Sequence, residues 1–451
     1  MRQIDKVAEL TRSLIRPFLF RMAQYEAGRK VSVKIQSIHK YYNTSHEERR
    51  CIDNARLIAV LRYAISNVPY YSKVINRGLV DKIAHDSKYY MDLPILTKDI
   101  VNEAGHQLIS SDFNINNLKK MKTGGSTGPS AFFYYDQEAA DWSSATTWYC
   151  RSHHEFFYHN RQLHFACDFG ETQLSPYRDL RALGEYLATN RVNIFTMDFS
   201  EEHVDYYLKQ LCDKRPNLVH GHPSTMYAIA KRASEQGCGN YKGLINYFES
   251  SGETLHHYQH ELITRVFGCK VVNRYGLAEA GIVAYQTSIS TPSMKLMSHL
   301  VYPDHFGTEG EHDFVFTSLR NFAMPLIRYN SQDVVLIRPD SLGTKDQFLA
   351  GVKGRIHDFV EIGTKRIPTH AVMDVLDHRV GGIHEFQVIK SRATRALVLR
   401  DVPASESFDL ALAQEKIAIY FGVPIPIELV PESGLIRTGF RNKFRHLVEV
   451  D

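Results

Sequence analysis

The sequence predicts an α/β protein with a large N-terminal domain of mixed, mostly parallel sheets flanked by helices and a small, mobile α+β C-terminal domain. Three observations carry that expectation. From about residue 115, short β-prone apolar runs alternate with stretches of helical periodicity. Beyond about residue 310 the texture turns strand-rich, and the last hundred residues repeat the mixture on a smaller scale. At 451 residues, 43% hydrophobic and 23% charged, the chain has a globular composition but is too long for one compact core.

The elements follow in order. Residues 1–100 read as mainly helical, with apolar residues at helical spacing over 56–66, then Val68-Pro69-Tyr70-Tyr71 as a break. Leu93-Pro94-Ile95-Leu96-Thr97-Lys98 reads as a loop feeding a helix capped by Thr97. A helix over 201–213 places Val204, Leu208 and Leu211 on one face, with Ser200 as its cap. Leu218-Val219-His220 is a short strand, Gly221-His222-Pro223-Ser224 a turn, and Ser224 opens a helix to about 236. Residues 270–273, 313–319, 333–337, 386–389 and 396–399 read as strands, and 406–421 as an amphipathic helix. Glycine and charge punctuate 354–358, which places the boundary between domains 1–354 and 355–451.

Charge and cysteine usage narrow the class. The net charge is +4 and spread along the chain, without the clustered basic patch of a nucleic-acid-binding protein. Cys51, Cys150, Cys167, Cys212, Cys238 and Cys269 form no C-x-x-C pair, which points to a reducing, cytoplasmic setting. No apolar run is long enough to span a membrane, so the chain reads as not integral to one. The basic, aromatic run Leu14-Ile15-Arg16-Pro17-Phe18-Leu19-Phe20-Arg21 reads as a helix packed on the body, with a membrane-surface contact as the alternative.

Thr123-Gly124-Gly125-Ser126-Thr127-Gly128-Pro129-Ser130 is the most informative segment. Its glycines free the backbone to aim N–H groups at one point, and Thr123, Ser126 and Thr127 add hydroxyls, a set suited to phosphate oxygens. The Walker A spacing and its lysine are absent. The segment also fits the G-x-S-x-G nucleophile elbow around Ser126, but a lysine-rich stretch precedes it and the strand-like Ala131-Phe132-Phe133-Tyr134-Tyr135 follows. That order suits a phosphate-gripping hairpin better than an elbow.

Four further segments follow. Asn273-Arg274-Tyr275-Gly276-Leu277-Ala278-Glu279 offers a ring to stack on a base and a carboxylate for Mg²⁺ at a strand's end. Asp333, just before an apolar strand, suits ribose hydroxyls. Gly354-Arg355-Ile356-His357-Asp358 has the makings of a hinge. Arg437-Thr438-Gly439-Phe440-Arg441-Asn442-Lys443 carries a lysine able to meet carboxylate and phosphate oxygens.

In this order and spacing the set resembles the adenylate-forming superfamily of acyl-CoA synthetases, luciferase-like enzymes and peptide-synthetase adenylation domains. It is most similar to the phenylacetate-CoA ligase branch with its CapK-like members. Val68-Pro69-Tyr70-Tyr71, Leu93-Pro94…Thr97-Lys98, His222-Pro223-Ser224 and Ser251-Gly252-Glu253 add to the likeness, which runs from about residue 55 to the end. The resemblance implies ATP, Mg²⁺ and coenzyme A as cofactors or co-substrates. It implies that Thr123, Gly124, Gly125, Ser126, Thr127 and Gly128 grip the phosphates, with Thr127 catalytic. Ser251, Gly252, Glu253, Tyr275 and Gly276 would line the adenine site, Glu279 would bind Mg²⁺, and Asp333 and Arg355 would meet the ribose and phosphates. Lys443, on the C-terminal domain, would join the acid to the α-phosphate, and His357 falls at the hinge. The acid would lie near His220, His222, Pro223, Arg274 and Tyr275. The chain departs from the family pattern at Pro129, Ala278, His357 and Asn442.

The expected function is ATP-dependent activation of a small carboxylic acid as its acyl-adenylate and transfer to coenzyme A. A carrier-protein thiol or an amine is the alternative acceptor, and a catalytically silent nucleotide-binding partner is the alternative class. A homodimer is the expected assembly. Diffuse aromatic richness, with 25 Tyr and 24 Phe, hints at an aromatic or planar acid.

Overall fold

The computed structural model describes residues 15–122, 131–166, 189–196, 201–237, 241–253, 255, 257–304, 309–338, 346–353, 359–362, 365–368, 380, 383–391, 397–403, 408–431, 434, 436–438, 443–444 and 447–450. The N-terminal region is helical, as expected: α1 over 15–26, α2 Val31–Tyr42, α3 His46–Asn67, α4 Pro69–Val74, α5 Arg77–His85 and α6 Lys98–Ala104. The start of α3 is a reciprocal cap, in which Glu48 N–H donates to Ser45 Oγ at 3.3 Å and Ser45 N–H donates to the Glu48 carboxylate at 3.0 Å. Leu57, Leu61 and Ala64 form its buried stripe. It stops because Val68, extended ahead of Pro69, cannot continue the helix. Thr97 caps α6 through Ile100 N–H at 3.3 Å.

A hairpin of β1 (Lys119–Lys122) and β2 (Phe132–Tyr135) brackets the glycine-rich loop, and α7 (Gln137–Ser152) follows. The remaining strands of the main body are β3 (Gln162–Ala166), β4 (Arg191–Phe195), β5 (Leu218–Gly221), β6 (Tyr247–Ser250), β7 (Lys270–Leu277), β8 (Gly281–Tyr285), β9 (Met294–Leu296), β10 (Val301–Pro303), β11 (Gly310–Ser318), β12 (Tyr329–Arg338) and β13 (Phe348–Lys353). They form one 11-stranded sheet in the order β10-β11-β12-β13-β9-β8-β7-β6-β5-β3-β4. From β4 to β7 the pairing is parallel. At β7 it reverses, and the sheet runs antiparallel from β8 to β10. The alternating sequence texture is the parallel half, and the strand-rich texture is the antiparallel half.

Helices α8 (Glu201–Lys214), α9 (Pro223–Glu235) and α10 (His257–Phe267) cover one face of the parallel half. Leu163, Val219, Phe248 and Val271 meet Leu208, Leu211, Ile229 and Val266 there in one buried cluster. A second, larger cluster joins the N-terminal helices and α7 to the antiparallel half through Leu61, Tyr71, Tyr285, Phe316 and Tyr329. Towards the C-terminus, β14 (Phe359–Ile362) pairs with β15 (Lys365–Pro368), and β19 (Arg437–Thr438) with β20 (Lys443–Phe444). β16 (Ile383–Ser391), β17 (Leu397–Pro403), β18 (Ile427–Leu429) and β21 (Leu447–Val450) form a 4-stranded sheet, with α11 (Leu410–Phe421) between β17 and β18. The boundary expected at 354–358 lies outside the described residues. No described helix is long and apolar enough to cross a membrane.

Three expectations need correcting. Residues 333–337 do not open a strand at Asp333, because β12 begins at Tyr329 and Asp333 lies inside it. The 270–273 strand does not end there, because pairing with β8 carries β7 on to Leu277. The last helix starts at Leu410 rather than 406, where Asp409 accepts from Leu412 N–H at 3.0 Å.

One polar anchor ties the N-terminal region to the sheet. Arg328 takes a left-handed φ of 46° and is 5% exposed. Its guanidinium donates to Asp304 Oδ2 at 2.7 and 3.0 Å, to Met91 O at 2.7 Å and to Leu93 O. Leu96 N–H donates to Arg328 O and Asn330 N–H returns to Leu96 O. Replacing Arg328 by Ala strands the buried Asp304 carboxylate and is expected to cost about 3–5 kcal/mol in urea unfolding. A loss below about 1 kcal/mol would show that the anchor is dispensable.

Candidate active site

The candidate residues gather at the carboxyl ends of β5, β6 and β7 and around the reversal of the sheet, where open α/β sheets hold their ligands. Alternation along β7 sends successive side chains to opposite faces. Arg274 turns to the face that carries Glu249. Tyr275 turns the other way, donating its hydroxyl to Asp333 Oδ2 at 2.8 Å and packing edge-on against Phe314. Burial and then Asp333 hold the Tyr275 phenol well above its usual pKa, so it stays a neutral donor.

Glu279 sits in the β7–β8 turn and is 6% exposed. Burial is the main reason its carboxyl pKa is raised, and the Asp333 charge adds to it while Lys98 and Tyr329 oppose it. Two carboxylates therefore share one poorly solvated corner, a place where a further cation is electrostatically favoured. Tyr135, at the end of β2, donates to Ala278 O and so fastens the hairpin beneath the glycine-rich loop to this turn. Lys98 joins this corner, although its sequence context gave no reason to single it out for charge. It is 4% exposed, follows the cap of α6 and faces Glu279.

The turn after β5 departs from expectation. Helix α9 begins at Pro223, and its N-cap His222 makes no capping side-chain bond. Ser224 is not the cap. Instead the Glu253 carboxylate accepts from Ser224 N–H at 3.2 Å and from Ser224 Oγ at 2.9 Å. An anion at a helix N-terminus is stabilising, and this one clips the 251–253 segment to α9. Ser251 N–H donates to Gly221 O at 3.1 Å. Gly252 has φ 85°, and a Cβ there would meet the His222 ring at 2.6 Å.

A buried ion cluster underlies these turns. Glu249 is fully buried. Arg151, from α7, grips both its oxygens at 3.1 and 2.8 Å, Arg274 Nη1 approaches Oε2 at 3.2 Å, and the Tyr285 hydroxyl donates to Oε1 at 2.9 Å. His220 Nδ1 is 2.8 Å from Oε2, off the line of an ideal hydrogen bond. Burial alone would raise the Glu249 pKa, but Arg151, His220 and Arg274 hold it well below the usual carboxylate range. Burial drives His220 down to about 4, against the pull of Glu249. The histidine is therefore neutral at pH 7.

Of the expected residues, Ser251, Gly252, Glu253, His220, His222 and Pro223 thus fall around β5 and β6, and Arg274, Tyr275, Gly276, Glu279 and Asp333 around β7. Thr123, Gly124, Gly125, Ser126, Thr127, Gly128, Arg355 and His357 lie outside the described residues. Lys443 is placed by its backbone alone, in register with Thr438.

No family model matches the sequence. The chain is 22% identical over 364 residues to Protein CapK of Staphylococcus aureus, spanning 78% of this chain and 79% of that protein. Among solved structures it is similar to 2-hydroxyisobutyryl-CoA ligase in an open conformation with 2-HIB-AMP and CoA. That match has TM-score 0.56 and 20% identity over 90% of this chain and 93% of the other. The same ligase in its thioesterification state gives TM-score 0.58 and 19% identity, covering 90% of each chain. These likenesses show the fold of this chain. The helix-flanked mixed sheet is the fold of that ligase.

Gly252→Ala forces a side chain into a left-handed backbone and into His222, and is expected to lower stability by about 1–3 kcal/mol. In the Gly252→Ala/His222→Ala double variant the steric part should be recovered. Strict additivity of the two losses in urea unfolding would disprove the contact.

Proposed function

We propose that this chain activates a small carboxylic acid as its acyl-adenylate and passes the acyl group to a thiol, with coenzyme A the favoured acceptor. The observation that supports this best is the meeting of Tyr275, Asp333 and Glu279 at the reversal of the sheet, beside the hairpin that carries the glycine-rich loop. The solved ligase of similar fold carries an acyl-AMP and CoA.

In this reading the acid's carboxylate oxygen attacks the α-phosphorus of ATP. The bond to the bridging oxygen breaks, pyrophosphate leaves, and a mixed anhydride remains. The thiol then adds to the acyl carbon, loses its proton and expels AMP. The chain contributes position and charge. Tyr275 and the backbone of 251–253 form the base-binding wall, and Glu253 is assigned to clipping that wall to α9 rather than to touching the base. Asp333 meets the ribose together with Arg355. The loop from Thr123 to Gly128 wraps the phosphates, with Thr127 as a donor. Residues 355–451 act as the small second domain, which brings Lys443 to the carboxylate and α-phosphate and withdraws it for the second step.

The residues fit a magnesium ion shared with phosphate. Glu279 is a buried carboxylate beside a second one, and no group of three or more His, Cys, Asp or Glu among the described residues is placed to hold a metal alone. When bound, the ion would neutralise phosphate charge.

Acid-dependent pyrophosphate release with ATP and Mg²⁺, with and without coenzyme A, tests the reading. Lys443→Ala is expected to lower release by about 10²–10³-fold, the scale of losing one charge-stabilising donor. Retention of full activity in that variant would overturn the assignment.

Glu279 yields an independent test through pH. Burial raises its folded pKa above the usual carboxylate range, so ionising it weakens the folded state as pH rises from the unfolded to the folded pKa. Glu279→Gln is therefore expected to raise the melting temperature of the unliganded chain at pH 7 while losing the further rise given by ATP with Mg²⁺. A variant that keeps that ligand-induced rise would remove Glu279 from the metal site.

A further inference from the structure

Strand register brings four polar side chains into one row across the parallel half of the sheet. Asn193 on β4 pairs with His164 on β3, His164 with His220 on β5, and His220 with Glu249 on β6. Paired residues share a face, so the row runs along the side opposite the apolar cluster of α8, α9 and α10. Burying such a row is costly unless something polar meets it. The rings of His164 and His220 lie 4.6 Å apart, and Arg274 closes the row beside Glu249.

Among the described residues, the charges in this row do not balance. Glu249 is the sole carboxylate that the described residues place on Arg151 and Arg274. Both histidines are neutral. Burial, then His220, Arg191, Arg151 and Arg274, drives His164 well below its usual pKa, so three guanidiniums are felt at that ring. Arg151 is spent on Glu249 and on Gln162 Oε1 at 2.9 Å. Arg274 is not. Among the described residues it meets Glu249 through Nη1 alone, its Nε is buried without a hydrogen-bond partner, and its side chain keeps 19% of its exposure. A guanidinium with an unfilled donor edge suits the planar oxygens of a carboxylate. An aryl or alkyl group placed there would leave that edge desolvated and unmet.

We propose that Arg274 is a specificity residue, and that the acid activated by this chain carries a second anionic group which Arg274 binds at the end of the row Asn193, His164, His220 and Glu249. This rests on the adenylation reading above and names its substrate class. It also replaces the aromatic or planar acid expected from Tyr and Phe content, because many of those rings are used in the two apolar clusters.

The test is pyrophosphate release by the full chain over a graded series of α,ω-dicarboxylates, each against the monocarboxylate of equal length, a hydroxy acid and phenylacetate. One dicarboxylate should be preferred, by a KM about 10- to 100-fold below that of its monocarboxylate. Arg274→Lys keeps the charge beside Glu249 and so protects the fold, but loses the planar fork. It should erase most of that ratio, and the loss should fall on KM for the dicarboxylate. Arg274→Met should erase it fully. Release driven best by phenylacetate, the hydroxy acid or a monocarboxylate, and still abolished in Lys443→Ala, would overturn this proposal and leave adenylation standing. Silence with every acid while ATP still binds would overturn both.

Discussion

The fully buried Glu249 carboxylate is the constraint around which the rest of the site is arranged. Removing a carboxylate from water is tolerable only if its oxygens are fully met. Here Arg151 reaches in from α7, His220 from β5, Arg274 from β7 and Tyr285 from β8. One ionised group thus holds together a helix and four strands that come from widely separated parts of the chain. The same demand fixes the register of β5, β6 and β7, since a slip by one residue would turn Glu249 into the apolar cluster beneath α9 and α10. The residues proposed to meet the nucleotide inherit their positions from that register, because Tyr275 follows Arg274 directly.

The reversal of the sheet at β7 turns this register into a division of labour. Alternation places Arg274 towards the ion cluster and Tyr275 towards Asp333 on the antiparallel half. A single strand therefore separates the ground assigned to the acid from the ground assigned to the nucleotide, by the distance between neighbouring residues. Any ligand spanning the two would have its reactive centre near the β7–β8 turn, where Glu279 lies. The left-handed Gly252 packed on His222 and the Glu253 clip to α9 brace the opposite wall. Wall and strand are thus held by backbone geometry and buried charge rather than by exposed side chains.

What the sequence disclosed was local. The Thr97 cap, the break at Pro69, the strand at 218–220 and the helix after it are set by neighbouring residues, and they are where the pattern placed them. Asn273 to Glu279 was recognisable as a set, though not as part of a longer strand. The ion cluster was not legible, because Glu249 and Arg151 are 98 residues apart and each alone looks like an ordinary charged residue. Asp333 was misplaced for a related reason. The polar start of β12, Tyr329-Asn330-Ser331-Gln332, carries no strand pattern of its own: Tyr329 and Asn330 pair with Phe316 and Val315 of β11, and the register then shifts where Gln332 takes a φ of 66°. Ser224 looked like a cap because Ser commonly caps, whereas the capping carboxylate came from Glu253, 29 residues on.

Charge balance at the corner shared by Glu279 and Asp333 is a further constraint on the proposed site. The glycine-rich loop of this chain carries no lysine, so a cation for this corner must come from elsewhere. Lys98 is 4% exposed and acts on the Glu279 carboxylate, and its segment is held firmly. Thr97 caps the helix that Lys98 begins, Leu96 is stitched to both Arg328 and Asn330, and Arg328 fastens Met91 and Leu93. A buried lysine on so constrained a segment cannot swing towards a ligand as a loop lysine can. Its effect is a fixed field on Glu279 that favours the ionised carboxylate against burial and Asp333. The chain thus keeps a fixed positive charge beside this pair of carboxylates.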